Sequence, residues 1–163
     1  MVKLLFVCTG NICRSPTAAG VMRAHVAEAG LQDAIAVDSA GTHGYHVGEP
    51  PDRRSIATAH KYRIDISDLR ARQVCADDFT SADLILAMDR GHHAQLLALC
   101  PPDRRDRIRL FMSFAAGAGP VDVPDPYYGE NGFDTVFKMI ERGVQGLLDH
   151  LRRSDPAGAA AGR

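Results

Sequence analysis

Short apolar runs alternate along this chain with stretches whose apolar residues recur every three or four positions. Val2–Val7 is a β-rich run that ends at Cys8 and meets the turn signal Thr9-Gly10-Asn11. Ala18, Val21, Met22, Val26 and Ala29 then share one helical face, with Ser15-Pro16 as N-cap and first helical position and Gly30 as the stop. Ile35–Val37 reads as a second strand, and Asp52 can cap a helix that carries Ile56, Ala59 and His60. Within residues 83–88, Leu84-Ile85-Leu86-Ala87 is short and apolar enough for a strand buried on both faces. A helix over 92–99 and a fourth strand over 108–112 follow. Phe133, Phe137, Ile140, Val144, Leu147 and Leu151 keep an unbroken three/four spacing, the strongest helical signal in the chain. Residues 41–51 and 115–126 read as loops by their Gly and Pro content, and 154–163 reads as a disordered tail.

Strands alternating with helices imply βαβ units. The expected fold is therefore a single α/β domain over residues 1–153, with a four-stranded parallel sheet covered by helices on both faces. A length of 163 residues suits one such domain and needs no disulfide or metal to hold it together. Nineteen basic against twenty acidic residues leave a net charge of −1, which gives no electrostatic hold on nucleic acid or an anionic membrane. No run approaches the ~18 apolar residues of a membrane span, and the short start lacks a secretory h-region, so a cytoplasmic protein is expected. In that setting the four cysteines read as thiols.

Chemistry concentrates after the first strand, in Cys8-Thr9-Gly10-Asn11-Ile12-Cys13-Arg14-Ser15-Pro16. Ligands of open α/β sheets bind at the carboxyl ends of strands, where a following helix presents its N-terminus. A loop there can aim successive amides inward as an anion-binding cradle, and Gly10 and Asn11 tolerate the left-handed backbone such a curl requires. Cys8 at its mouth would see amide dipoles and a guanidinium, all of which favour a thiolate. Arg14 offers a planar fork to two oxygens of a tetrahedral anion, and Ser15 a hydroxyl to the sulfur. Taken singly, each residue has a plain structural reading; the whole string does not.

The string resembles the signature of the low-molecular-weight protein tyrosine phosphatases: Cys, five residues, Arg, then Ser or Thr. The resemblance extends over residues 2–151, through Asp38-Ser39-Ala40-Gly41-Thr42, Gly48-Glu49-Pro50-Pro51-Asp52-Arg53, Ala71-Arg72-Gln73, Met88-Asp89 and Asp125-Pro126-Tyr127-Tyr128-Gly129. It implies hydrolysis of phosphotyrosine in proteins and of small aryl phosphates, with no metal and no cofactor. The implied partner is a phosphotyrosine-bearing protein, such as a bacterial tyrosine kinase. Phenolate is a poor leaving group, its conjugate acid having a pKa near 10, so the reaction needs a proton donor at neutral pH. Asp125 is the candidate, with Cys8 as nucleophile and Arg14 as the phosphate-binding group.

The resemblance assigns substrate binding to Thr9, Gly10, Asn11, Ile12, Cys13 and Ser15, and the ring slot to Tyr45, Tyr127 and Tyr128. Ser39 is expected to hold the phosphate loop in shape. Asp89 either supports the loop or Arg14, or caps a helix. Cys13 is either a small buried side chain or, as the resemblance implies, the partner of Cys8 in a reversible disulfide. Cys75 and Cys100 are read as inert. His92 and His93, adjacent on a helix, cannot face one ion together, and the other histidines are expected in solvent. One departure stands out: Leu69 occupies a position where many members of the family carry a histidine that supports the loop network. Two neighbouring chemistries fit less well. Arsenate reduction needs two further cysteines close together, and phosphoarginine hydrolysis goes with Thr where this chain has Ile12. A binding module without catalysis would be expected to lack Cys8, Arg14 or Asp125.

Overall fold

The computed structural model describes residues 1–117, 119–128 and 132–154. The elements are β1 (Val2–Cys8), α1 (Arg14–Glu28), β2 (Ile35–Gly41), α2 (Arg53–Lys61), α3 (Ala76–Ser81), β3 (Leu84–Ala87), α4 (Arg90–Leu99), β4 (Ile108–Leu110) and α5 (Phe133–Ser154). Short 3₁₀ turns cover Pro102–Arg107 and Phe111–Phe114. The four strands are all parallel, in the order β2-β1-β3-β4. The chain therefore leaves β1 toward one edge and returns to build the other side. That reversal puts a topological switch point beside β1, and the crevice beyond its carboxyl end is where a ligand belongs in such sheets.

Alternation along β1 produces the two cores. Leu4, Phe6 and Cys8 point into a large cluster with Ala18, Val21 and Met22 of α1 and Phe137, Ile140 and Leu147 of α5. Leu5 and Val7 point the opposite way, to Phe79 of α3 and Leu96 of α4. Helices thus cover both faces, as the apolar character of β1 and β3 requires. Gly30, with φ +71°, turns the chain from α1 toward β2 in the left-handed conformation open to glycine. No described helix is long and apolar enough to cross a membrane.

Four expected boundaries move. Strand β2 continues to Gly41 because its register with β1 holds all the way to Cys8. Strand β4 stops at Leu110 instead of 112: the next turn carries the Phe111 ring into the core, edge-on to Phe6 at 5.5 Å. Helix α4 starts at Arg90, capped by the Asp89 carboxylate, which accepts from the His92 amide at 2.9 Å. Ser15 is not the N-cap of α1. Cys13 holds that place without a side-chain capping bond, and the Ser15 hydroxyl turns inward toward Cys8. Helix α3 was not expected; Cys75 and Asp78 exchange reciprocal bonds at its start. Of the expected tail, Ser154 is the last residue of α5, and 155–163 lie outside the described residues.

Candidate active site

The loop between β1 and α1 is held from outside by its carbonyls. The carbonyl of Cys8 accepts from the Thr42 amide at 2.8 Å, that of Thr9 from His43 at 3.0 Å, and that of Ile12 from Asp52 at 2.8 Å. With the carbonyls occupied on the outer side, the amides of residues 10–13 have no backbone acceptor among the described residues. They join the uncapped first turn of α1 as donors for an anion. Gly41 makes the close packing possible: a Cβ there would stand 2.6 Å from the Thr9 carbonyl oxygen.

Asn11 fixes the curl. Its backbone is left-handed, with φ 58°, and its side chain is buried. The amide Nδ2 donates to Ser15 Oγ at 2.7 Å and to Ser39 Oγ at 2.9 Å, while Oδ1 accepts from the Arg72 amide at 3.0 Å. Ser15 Oγ then lies 3.0 Å from Cys8 Sγ and 3.4 Å from the Ala40 carbonyl. Asn11 already donates to Ser15 Oγ, so the hydroxyl proton goes either to the Ala40 carbonyl or, when Cys8 is a thiolate, to the sulfur. Gly10, Ile12 and Cys13 complete the floor of the cleft. Cys13 is a buried thiol. Burial, with the Asp52 carboxylate nearby, pushes it up to about 12, so it stays protonated.

Arg14 is buried and held on one edge. Nη1 donates to Asp89 Oδ2 at 2.8 Å and to the Val123 carbonyl at 3.0 Å, and Nη2 lies 3.6 Å from Asp125 Oδ2. Asp125 is partly exposed, and its Oδ1 accepts from the Tyr127 amide at 3.0 Å. Tyr45, His46, Tyr127 and Tyr128 wall a cleft of about 210 Å³ above the cysteine. Tyr45 stacks on His43 with centroids 5.1 Å apart, and Tyr127 meets Tyr128 edge-on at 5.0 Å. Arg54, gripped by Asp52 through Nε and Nη2 at 3.0 Å each, lies over the Tyr127 ring at 5.3 Å.

This geometry has counterparts among known proteins. The family profile "Low molecular weight phosphotyrosine protein phosphatase" matches residues 3–157. A low molecular weight protein-tyrosine-phosphatase of Streptomyces coelicolor is 43% identical over 164 residues, covering 97% of this chain and 98% of its own. The chain belongs to the low-molecular-weight phosphotyrosine protein phosphatases. Among solved structures, an Entamoeba histolytica protein tyrosine phosphatase with Hepes in its active site aligns at TM-score 0.91 and 36% identity, over 95% of this chain and 99% of that one. YfkJ of Bacillus subtilis aligns at TM-score 0.90 and 35% identity, over 94% and 96%.

As a member of this phosphatase family, the chain brings its expected site residues together, and Asp89 proves to do both things read from it: one oxygen caps α4 and the other holds Arg14. Leu69 packs against the large core, and the Asn11 side chain closes its bonds on Ser15, Ser39 and Arg72 without an imidazole at 69. Two residues of the phosphatase site were missed. His46 lines the cleft with Nδ1 at 2.7 Å from Glu49 Oε2, although a loop histidine carries no periodic signal. His92, read only as unable to share an ion with His93, is buried, with Nε2 2.8 Å from Thr9 Oγ1. Arg72 was visible only as part of a resembling segment. Its fork grips Asp78 through both oxygens and reaches Asp38 at 2.8 Å, which fixes the amide that Asn11 needs. Burial would raise Asp78, but the Arg72 fork and the Cys75 amide outweigh it and hold this carboxyl below its usual range.

Proposed function

We propose that this phosphatase hydrolyses phosphotyrosine in proteins through a cysteinyl-phosphate intermediate, with residues 1–153 as the working unit. The observation that carries the reading is the convergence on one cleft of the Cys8 sulfur, the unpaired loop amides, the pinned Arg14 and the partly exposed Asp125. The Cys8 thiolate attacks phosphorus, and the bond from phosphorus to the phenolic oxygen breaks. Asp125, entering as the acid, gives its proton to that oxygen, so tyrosine leaves neutral. Water then attacks the thiophosphate. Asp125, now a carboxylate, takes the water proton, the P–S bond breaks and inorganic phosphate leaves. Arg14 and the amides stabilise the charge on the three equatorial oxygens in both steps.

Each auxiliary residue has a part in this scheme. Thr9, Gly10, Asn11, Ile12, Cys13 and Ser15 form the phosphate cradle, Ser39 and Asp89 hold it, and Tyr45, Tyr127 and Tyr128 sandwich the substrate ring. The chemistry requires Cys8 reduced, and all four cysteines are free thiols. That suits work in the reducing cytoplasm, on a phosphotyrosyl protein such as a tyrosine kinase. The test is phosphate release from a phosphotyrosyl peptide in EDTA, with Cys8→Ser as control. Release by the native chain alone is expected. Retention of the peptide by both proteins without release would replace this reading by a binding module.

A further inference from the structure

We propose that His92 is a positioning residue, a strut that ties the residue next to the nucleophile, Thr9, to Asp89, the carboxylate that holds Arg14. The inference rests on the roles given above to Cys8 and Arg14, and goes beyond them by joining the two ends of the loop through a side chain that touches neither substrate nor sulfur.

His92 sits in the first turn of α4, 3% exposed. Burial, with the Arg14 charge nearby, pushes its imidazole down to about 4, so near neutrality it is uncharged and has one donor and one acceptor nitrogen. Nε2 lies 2.8 Å from Thr9 Oγ1. Nδ1 lies 3.1 Å from Asp89 Oδ1, outside hydrogen-bond geometry, and has no other partner among the described residues. A lone pair on Nδ1 would face the carboxylate oxygen and be repelled, whereas a proton there faces it favourably. The carboxylate therefore selects the Nδ1–H tautomer, Nε2 becomes the acceptor, and the Thr9 hydroxyl donates to it.

Three consequences follow from that proton assignment. Thr9 is held by its carbonyl, through the His43 amide, and by its hydroxyl, through His92. Asp89 cannot rotate freely, because Oδ1 faces both the amide and the imidazole of His92 while Oδ2 receives Arg14 Nη1. Arg14 is in turn fixed on its Nη1 edge, which leaves the other edge for the anion. Preorganised donors of this kind act most strongly on the charge that develops in the transition state, so loosening the strut should lower kcat more than it raises KM.

The test is a double-mutant cycle read on an aryl phosphate, with ¹⁵N spectra of the imidazole beside it. Thr9→Val removes the hydroxyl at constant shape. In His92→Asn the amide occupies the Nδ1 region but stops short of Thr9, and in His92→Gln it reaches Thr9. Thr9→Val and His92→Asn should each lower kcat/KM by about tenfold, mostly in kcat, and the pair together by the same tenfold. His92→Gln should recover most of the loss, and the native protein should show the Nδ1–H tautomer. Additive losses near a hundredfold, a Gln variant no better than Asn, or an Nε2–H tautomer would each overturn the proposal. Should the His92 variants fail to fold, Thr9→Ser against Thr9→Val decides: retention by Ser and loss by Val is expected, and equal rates overturn it. Because the tautomer is read without turnover, a native protein that shows Nδ1–H but releases no phosphate would contradict the proposed function and leave the strut standing.

Discussion

Between Cys8 and Ser15 the polar side chains are bonded to one another or to the ends of β2 and α4, and the carbonyls of Cys8, Thr9 and Ile12 are tied outward. Between Pro120 and Tyr128 the chain has no regular structure, and its anchors among the described residues are Val123, fully buried, with its amide on the Met88 carbonyl and its own carbonyl on Arg14, Asp122 on Arg90, the buried Pro126 and the Arg54 guanidinium over Tyr127. Asp125, the proposed acid of the first step, is partly exposed on this second segment, and Tyr128 at its end is 88% exposed. Among the described residues, the hydrogen bonds and ion pairs between the two segments all run through Arg14. The contrast matches the two jobs proposed for them. Charge on the equatorial oxygens develops at one fixed place, where preorganised donors gain most. A proton must reach the leaving oxygen after the substrate ring has entered, which a lightly anchored segment permits.

Substitutions on the two sides should therefore fail in different ways. The largest effect is expected from Arg14→Lys, since an ammonium cannot hold two oxygens at once: kcat should fall by about 10³-fold for every substrate. Initial rates that stay within tenfold of native would remove Arg14 from the transition state. Asp125→Ala should lower the rate by about 10²–10⁴-fold, but only for esters of poor leaving groups. Asn11→Ala breaks the cradle indirectly, leaving the Ser39 hydroxyl and the Arg72 amide unpartnered. It should reduce stability by about 2–4 kcal/mol in denaturant titration and weaken phosphate binding, and an unchanged midpoint would show the network to be dispensable.

The smaller effects probe the walls. Arg54→Ala frees Tyr127 from the guanidinium lying over it, a contact worth about 0.5–1 kcal/mol at an exposed site, and should raise KM by about threefold. A larger fall in kcat than rise in KM would mean that Arg54 reaches the reacting groups. Cys13 should do least. Burial and Asp52 disfavour its charged form, so at every pH below about 12 it is a thiol. Iodoacetamide near pH 7 should label Cys8 and leave Cys13 intact in the folded protein; mass spectrometry showing equal labelling would contradict the separation of the two thiols.

The cradle was legible in the sequence because it is contiguous: one strand end, one turn and one helix start carry Cys8, Asn11, Arg14 and Ser15, and it is the whole string, not any one residue, that only that geometry explains. Asp52 and the apolar stripe of α5 were legible for the same reason, since caps and spacing act over a few residues. What holds the cradle was not. His92 reaches Thr9 across 83 positions, and the Val123 carbonyl that grips Arg14 has no side-chain signature. The N-cap reading of Ser15 failed because Ser-Pro is a common helix start; its hydroxyl instead lies beside Cys8 and Asn11, which matches its other reading as a partner of the sulfur. Strand β4 ended early because Phe111, apolar enough for a strand, is worth more in the core against Phe6.

The most direct test of the division between cradle and acid is a leaving-group series. Rates for aryl phosphates whose phenols span a wide range of pKa would be compared in native protein, Asn11→Ala and Asp125→Ala. The account predicts a loss in Asn11→Ala that is the same for every phenol and a loss in Asp125→Ala that grows with phenol pKa and nearly vanishes for the most acidic phenols. A loss in Asp125→Ala that is independent of the phenol would contradict it, because the segment over the cleft would then be holding phosphate rather than delivering a proton.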